Sequence, residues 1–326
     1  MFEVPNLTLP FEVHKHPREK TLREHERKWL EASGLLETRQ QLDHYLNISM
    51  AAYTAYMCPH AQNIERLSVL VEYNNWLMLF DDLFEQETAG DDHLELEAVA
   101  REVIAIMSRG ESRRATPPPM SALGTRLVEL FKSIWKGVHE LAPSDWSRRH
   151  TQSAIEFMLY NRPSDVASRP RDFEESWRRR RIAFGCFPLA ELVEFGNDSY
   201  LPEVIFECSP FGDLKRAYGD LQFLPNDFVS LRKELQTPEP DNVIILLRER
   251  YGCTWQEAVD RAALIFDEAL AAFSSSEVEV EHCLRGLGID EAAQRRVLSH
   301  IEELKYFLAG SLHWHMQNAR YGLGDL

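Results

Sequence analysis

The sequence predicts an all-α protein, and three observations carry that expectation. Apolar residues recur at helical spacing, as at Ala258, Val259, Ala262, Ala263, Ile265 and Phe266. That run follows Thr254-Trp255-Gln256-Glu257, a capping-box pattern in which threonine and glutamate each accept a backbone N–H that the first helical turn leaves unpaired. Alternating strand patterns bounded by Asn-Gly or Asp-Gly turns are missing. The expectation is roughly ten or more helices packed around a central cavity.

The elements follow in chain order. Pro59 stands where a helix can start before the long run to Glu85. Residues 86–92, 108–122, 161–170 and 236–242 read as loops between helices, three of them bearing proline. A last helix, apolar-patterned from about Asp290, carries the chain to Arg320-Tyr321. No linker rich in Gly, Ser or Pro is long enough to divide the chain, so residues 1–326 are expected to form a single domain.

Composition excludes some roles. The chain has 36 Lys and Arg against 52 Asp and Glu, a net charge of −16, so a nucleic-acid-binding surface is not expected. Cys58, Cys186, Cys208, Cys253 and Cys283 are dispersed without CxxC spacing, which argues against a disulfide framework or a zinc site and for reduced thiols. No apolar run reaches membrane-spanning length, and Met1-Phe2-Glu3-Val4-Pro5 lacks the segments of a signal peptide. The expected location is the cytoplasm, without stable membrane association, as monomer or homodimer. His313 and His315 are two apart on a helix and point to different faces, so a shared metal is not expected there.

Three patterns carry chemistry. In Asn226-Asp227-Phe228-Val229-Ser230-Leu231-Arg232-Lys233-Glu234, the residues Asn226, Ser230 and Glu234 are spaced four apart and share one stripe of a helix. An amide oxygen, a hydroxyl and a carboxylate form an all-oxygen set suited to Mg²⁺ rather than Zn²⁺ or copper. Lys233 adds a cation of the kind that a metal-bound phosphate needs. In Asp81-Asp82-Leu83-Phe84-Glu85, the acids Asp81 and Glu85 share a face at the end of the apolar run Trp76-Leu77-Met78-Leu79-Phe80. Like charges at this spacing oppose the helix unless a cation binds them. Arg320 offers a planar fork of donors and Tyr321 a hydroxyl, both suited to phosphate oxygens.

In this order and spacing, the three patterns resemble those of class I terpene synthases of the bacterial cyclase type, over nearly the whole chain. The resemblance implies the class I terpenoid synthase helical bundle around a central active-site cavity. It implies three Mg²⁺ ions, with Asp81, Asp82 and Glu85 as the aspartate-rich motif and Asn226, Ser230 and Glu234 as the second metal site. It implies that Lys233, Arg320 and Tyr321 grip the diphosphate of an isoprenyl substrate, with farnesyl diphosphate the default. A further arginine that senses diphosphate is expected roughly 45 residues before the second metal motif, four residues before a glycine at a helix break. Trp177-Arg178-Arg179-Arg180-Arg181-Ile182-Ala183-Phe184-Gly185 occupies that region. Gly185 as the glycine points to Arg181, with Arg180 the near alternative; Arg178 and Arg179 fit a solvated patch. Ala183 stands where the family has threonine. Pro225, directly before Asn226, implies either a kink or a helix start.

The implied reaction is ionisation of the diphosphate and cyclisation of the carbocation. The cation needs a dry, apolar pocket. By helical phase, Leu77, Met78, Phe223 and Trp314 are candidates to line it, with Phe184 beside the break; each is as well suited to a core. Two other readings remain. A chain-elongating prenyltransferase would carry a second aspartate-rich motif, and a non-catalytic helical binding protein would release no diphosphate.

Overall fold

The computed structural model describes residues 2–88, 94–109, 120–161, 172–235 and 242–318, and of 83–88, 94 and 109 only the backbone. The described residues hold thirteen α-helices, one 3₁₀ turn at Glu203–Glu207 and no strand. None of these helices is long and apolar enough to cross a membrane. All five cysteines are free; Cys58, Cys186 and Cys208 are buried, Cys253 and Cys283 half-buried. The chain forms two compact units.

The amino-terminal unit comprises Lys15–Arg169 with Phe195–Asp198. Its helices are α1 (Glu19–Ser33), α2 (Arg39–Ile48), α3 (Met50–Met57), α4 (Ile64–Thr88), α5 (Leu94–Arg109), α6 (Ala122–Leu141) and α7 (Ser144–Tyr160). A run of aromatic rings fixes α4 against α6. Trp76, fully buried, stacks on Phe80 at 5.2 Å, meets Phe131 at 4.7 Å and donates from Nε1 to Leu127 O at 2.9 Å. Phe131 stacks in turn on Trp135. Such pairs add roughly 1 kcal/mol each beyond the area they bury.

Some expected boundaries move. Pro59 lies in the turn after α3, and α4 starts at Ile64, where Asn63 Oδ1 accepts Glu65 N at 2.9 Å; the short polar side chain, not the proline, supplies the cap. Helix α4 runs on to Thr88, α5 runs to Arg109 and α6 starts at Ala122, so 86–88, 108–109 and 122 are helical rather than loop. The other expected loop residues at 89–92, 110–119, 162–170 and 236–241 lie outside the described residues.

A buried carboxylate ties this unit together. Glu26 of α1 is fully buried; its Oε1 accepts Ala51 N at 2.9 Å and Asn75 Nδ2 at 3.2 Å, and its Oε2 faces Ser49 Oγ at 3.4 Å. Ser49 joins α2 to α3 in the left-handed region, at φ 55°. Burial pushes the Glu26 carboxyl above its ordinary value of 4.5, against the pull of these donors. The folded state therefore holds this proton more tightly than the unfolded chain does. The resulting stability is full below the ordinary value and is lost as pH rises through the raised one. Glu26→Gln, which keeps an acceptor oxygen and offers Ser49 an amide donor, should remove that slope. In denaturant titrations at a series of pH values, the variant should gain on the parent from acid to neutral pH. A constant offset at every pH would refute the assignment.

The carboxy-terminal unit comprises Met1–His14, Pro170–Glu194 and Ser199–Leu326. It holds α8 (Phe173–Ala183), α9 (Cys186–Gly196, except for its last two residues), α10 (Ser209–Glu234), α11 (Val243–Tyr251), α12 (Trp255–Leu284) and α13 (Glu291–Gln317). Helix α10 packs on α8, α11, α12 and α13. The capping box at Thr254 forms as expected: Thr254 Oγ1 accepts Glu257 N at 3.3 Å and Glu257 Oε2 accepts Thr254 N at 2.8 Å. Asp290 caps α13, accepting Ala293 N at 2.7 Å. The first residues follow α12 and α13, with Phe11 6.1 Å from Phe273 and His14 stacked on Tyr306 at 4.3 Å.

Candidate active site

In the carboxy-terminal unit the candidate residues stand on α8 and α10. Asp172 caps α8 by accepting Glu175 N at 3.0 Å. Glu174 and Glu175 suit its positive end, and Arg180 and Arg181 its negative end. The helix stops at Ala183, and Gly185 takes φ +79°, a conformation that costs glycine nothing. Gly185 N donates to Ile182 O at 2.9 Å, and α9 begins at Cys186. The break expected at Phe184–Gly185 is there.

Helix α10 runs through Pro225 without ending, so Asn226, Ser230 and Glu234 stand on one helix. Ser230 is buried; Asn226 and Glu234 are half-buried and Lys233 is exposed. Ser230 Oγ donates to Asn226 O at 2.7 Å, which spends its proton and leaves its lone pairs to accept or ligate. Asn226 Oδ1 accepts from Arg180 Nη2 at 3.2 Å. Among the described residues no group of three His, Cys, Asp or Glu gathers to hold a metal; the donors here include an amide and a hydroxyl. This all-oxygen set fits a hard divalent cation such as Mg²⁺.

The four arginines separate by helical phase. Arg178 is exposed and pairs with Glu175 at 2.6 Å. Arg179, expected in a solvated patch, is 6 % exposed. Arg180 points at α10: its Nε donates to Asp227 Oδ1 at 3.0 Å, its Nη2 reaches Asp227 and Asn226, and its guanidinium lies 5.6 Å from the Phe184 ring and 6.0 Å from that of Phe223. Arg181, the residue to which the glycine spacing pointed, instead makes a two-pronged pair with Asp220, Nε to Oδ1 at 2.6 Å and Nη2 to Oδ2 at 2.8 Å. Successive residues diverge by about 100°, so only one of the two can meet Asn226.

Sequence reasoning missed Asp227. It is fully buried, and its Oδ2 accepts Val243 N at 2.8 Å while its backbone oxygen accepts Asn242 Nδ2 at 2.8 Å. It therefore binds Arg180 and the start of α11 at once. Burial pushes its carboxyl up to about 7, opposed by Arg180 and reinforced by the charge of Glu234. The signal available beforehand was an acid set among Leu224, Phe228, Val229 and Leu231, where a solvated face would not place one.

Trp314 is 6 % exposed and lies edge-on to His315 at 5.0 Å. His315 is buried and stands 6.4 Å from the Phe184 ring, whereas His313 is half-buried. Phe223 is fully buried beside Trp177 at 5.6 Å. Arg320 and Tyr321 lie outside the described residues.

In the amino-terminal unit, Asp81 is exposed on α4, and Leu77 and Met78 on its stripe are half-buried. Helix α4 is therefore not buried all round: Trp76, Leu79 and Phe80 are buried and the Asp81 stripe is open. Asp82 is half-buried, and its Oδ2 accepts from Tyr45 Oη at 2.7 Å. Glu85 belongs to α4, but its side chain lies outside the described residues.

The described residues are thus all-α, with oxygen donors on α10 beside Arg180 and a helix break at Gly185. Residues 72–272 match the family model for terpene synthase family 2, C-terminal metal binding. The chain belongs to that family: it is a class I terpene synthase, a carbon–oxygen lyase that ionises an isoprenyl diphosphate and cyclises the carbocation. It is 25% identical to the pristinol synthase of Streptomyces pristinaespiralis over 318 residues, 97% of this chain and 84% of that protein. To the (+)-eremophilene synthase of Gibberella fujikuroi it is 29% identical over 273 residues, 81% of this chain and 72% of the relative. The solved structure of a hedycaryol synthase in complex with nerolidol shares the fold, with a TM-score of 0.79 at 20% identity over 96% of this chain and 100% of that one.

Proposed function

We propose that the enzyme converts farnesyl diphosphate, with three Mg²⁺ ions, to a cyclic fifteen-carbon terpene, and that Arg180 is its diphosphate sensor in place of Arg181. The observation that carries this reading is Arg180 bonded to Asn226, the first residue of the second metal motif. Arg181 is committed to Asp220 and has no such contact with the motif. The fifteen-carbon length is supported by the hedycaryol synthase that holds nerolidol, a fifteen-carbon alcohol.

Asp81, Asp82 and Glu85 serve as one metal site and Asn226, Ser230 and Glu234 as the other. Bound Mg²⁺ supplies Lewis-acid stabilisation of the charge that grows on the leaving diphosphate. Arg180, Lys233, Arg320 and Tyr321 donate to the diphosphate oxygens and fix its orientation. Leu77, Met78, Phe184, Phe223 and Trp314 exclude water, and the aromatic faces stabilise the cation. Residues 1–326 work as one catalytic domain in the cytoplasm.

The test is incubation of the purified protein with geranyl, farnesyl and geranylgeranyl diphosphate in turn, with Mg²⁺ and mass analysis of volatile products. A cyclic product from the fifteen-carbon substrate is expected, and turnover of only the ten- or twenty-carbon one would refute the assigned length. Trp314→Ala should shift the products toward acyclic or hydroxylated ones while ionisation persists, because the added space admits water. Unchanged product, with stability lowered by the roughly 3–5 kcal/mol typical of a lost core tryptophan, would make Trp314 a packing residue.

A further inference from the structure

Asp220 belongs to neither metal motif, yet two side chains of α8 converge on its carboxylate. Besides the two bonds from Arg181, Trp177 Nε1 donates to Oδ1 at 2.8 Å. Trp177 and Arg181 are four apart and share one stripe of α8. The arginine stem lies close over α10 at Gly219, where an added Cβ would stand 3.4 Å from Arg181 Cγ and Cδ. The pair is well shielded, with the side chains 17% and 13% exposed.

Asp220 and Asp227 are seven residues apart, so they lie within about 20° of each other on α10 and roughly 10.5 Å apart along it. Successive arginines of α8 therefore each reach one acid of a single stripe of α10. A two-pronged arginine–carboxylate pair fixes orientation as well as distance. Arg181 and Trp177 on Asp220 leave α8 one rotation about its own axis, and in that rotation Arg180 meets Asn226. A turn of α8 by one residue would exchange the two arginines.

We propose that Asp220 is a positioning residue for ionisation: by holding Arg181 and Trp177 it sets the rotation of α8 that delivers Arg180 to Asn226. This rests on the reading of Arg180 as the group that grips diphosphate. Asp220 touches neither substrate nor metal and acts only through Arg180.

The experiment measures binding of inorganic diphosphate with Mg²⁺ to the full chain by calorimetry, together with KM and kcat for farnesyl diphosphate. Asp220→Asn keeps the size but sets an amide nitrogen donor-to-donor against Arg181 Nη2. It should weaken diphosphate binding and raise KM about tenfold, and in an Arg180→Lys background its further effect should fall below about twofold, the non-additivity of coupled residues. Arg181→Lys, which keeps the charge and loses the fork, should behave in the same way and serves if Asp220→Asn does not fold. Unchanged diphosphate binding in Asp220→Asn would overturn the proposal. So would a tenfold loss that persists in the Arg180→Lys background, since Asp220 would then serve only the fold. The underlying reading fails separately, if Arg180→Lys by itself leaves diphosphate binding unchanged.

Discussion

Alanine at Arg180 is expected to cut turnover of farnesyl diphosphate by roughly a hundredfold to a thousandfold, the cost of removing a preorganised donor at developing charge. Arg180 is 9% exposed, and its guanidinium already spans Asn226 and Asp227 between two aromatic rings. Alanine at Arg181 should cost about tenfold, because Arg181 acts through the geometry of α8. Alanine at Arg178, exposed and paired with Glu175 at the surface, should change little, since such pairs contribute roughly 1 kcal/mol or less. Arg180→Ala also leaves Asp227 buried beside Glu234, so the variant needs a melting curve alongside its kinetics. Equal, mild losses at all three positions would contradict a diphosphate-gripping role for Arg180. A dominant loss at Arg181 would restore the assignment drawn from the glycine spacing.

Asp81→Ala should all but abolish activity, a loss of roughly a thousandfold or more if it removes a metal ligand worth several kcal/mol at the transition state. Asp81 is exposed, so a melting curve taken beside the kinetics separates the two effects. Lost activity with an unchanged melting temperature would separate chemistry from folding. Asp82→Ala would break the bond from Tyr45. Glu234→Ala should be as severe as Asp81→Ala, since Glu234 is the charged member of the proposed ligand set. Diphosphate release at the parent rate in either variant would contradict the metal assignment.

Much of the architecture was legible in the sequence. Thr254 and Glu257 named the start of α12 through the capping pattern, the apolar spacing placed the start of α13 near Asp290, and the family resemblance pointed to the break at Gly185. The stripe of Asn226, Ser230 and Glu234 was legible because the spacing of four survives any choice of helix boundaries. The choice between Arg180 and Arg181 was not legible. A step of one residue turns the side chain by about 100°, and no feature of the sequence fixes the rotation of α8 to better than that. What fixes it is Asp220, an acid 39 positions further along the chain. Glu26 was invisible for a similar reason: α1 is rich in acids and bases, and it is contacts with distant residues, Ser49, Ala51 and Asn75 among them, that distinguish this glutamate.

The most direct test of the account is diphosphate release from farnesyl diphosphate by the full chain, followed with Mg²⁺ and again in excess chelator. The account predicts release coupled to a cyclic fifteen-carbon product with Mg²⁺, and neither in chelator. Release at an undiminished rate in chelator would contradict it.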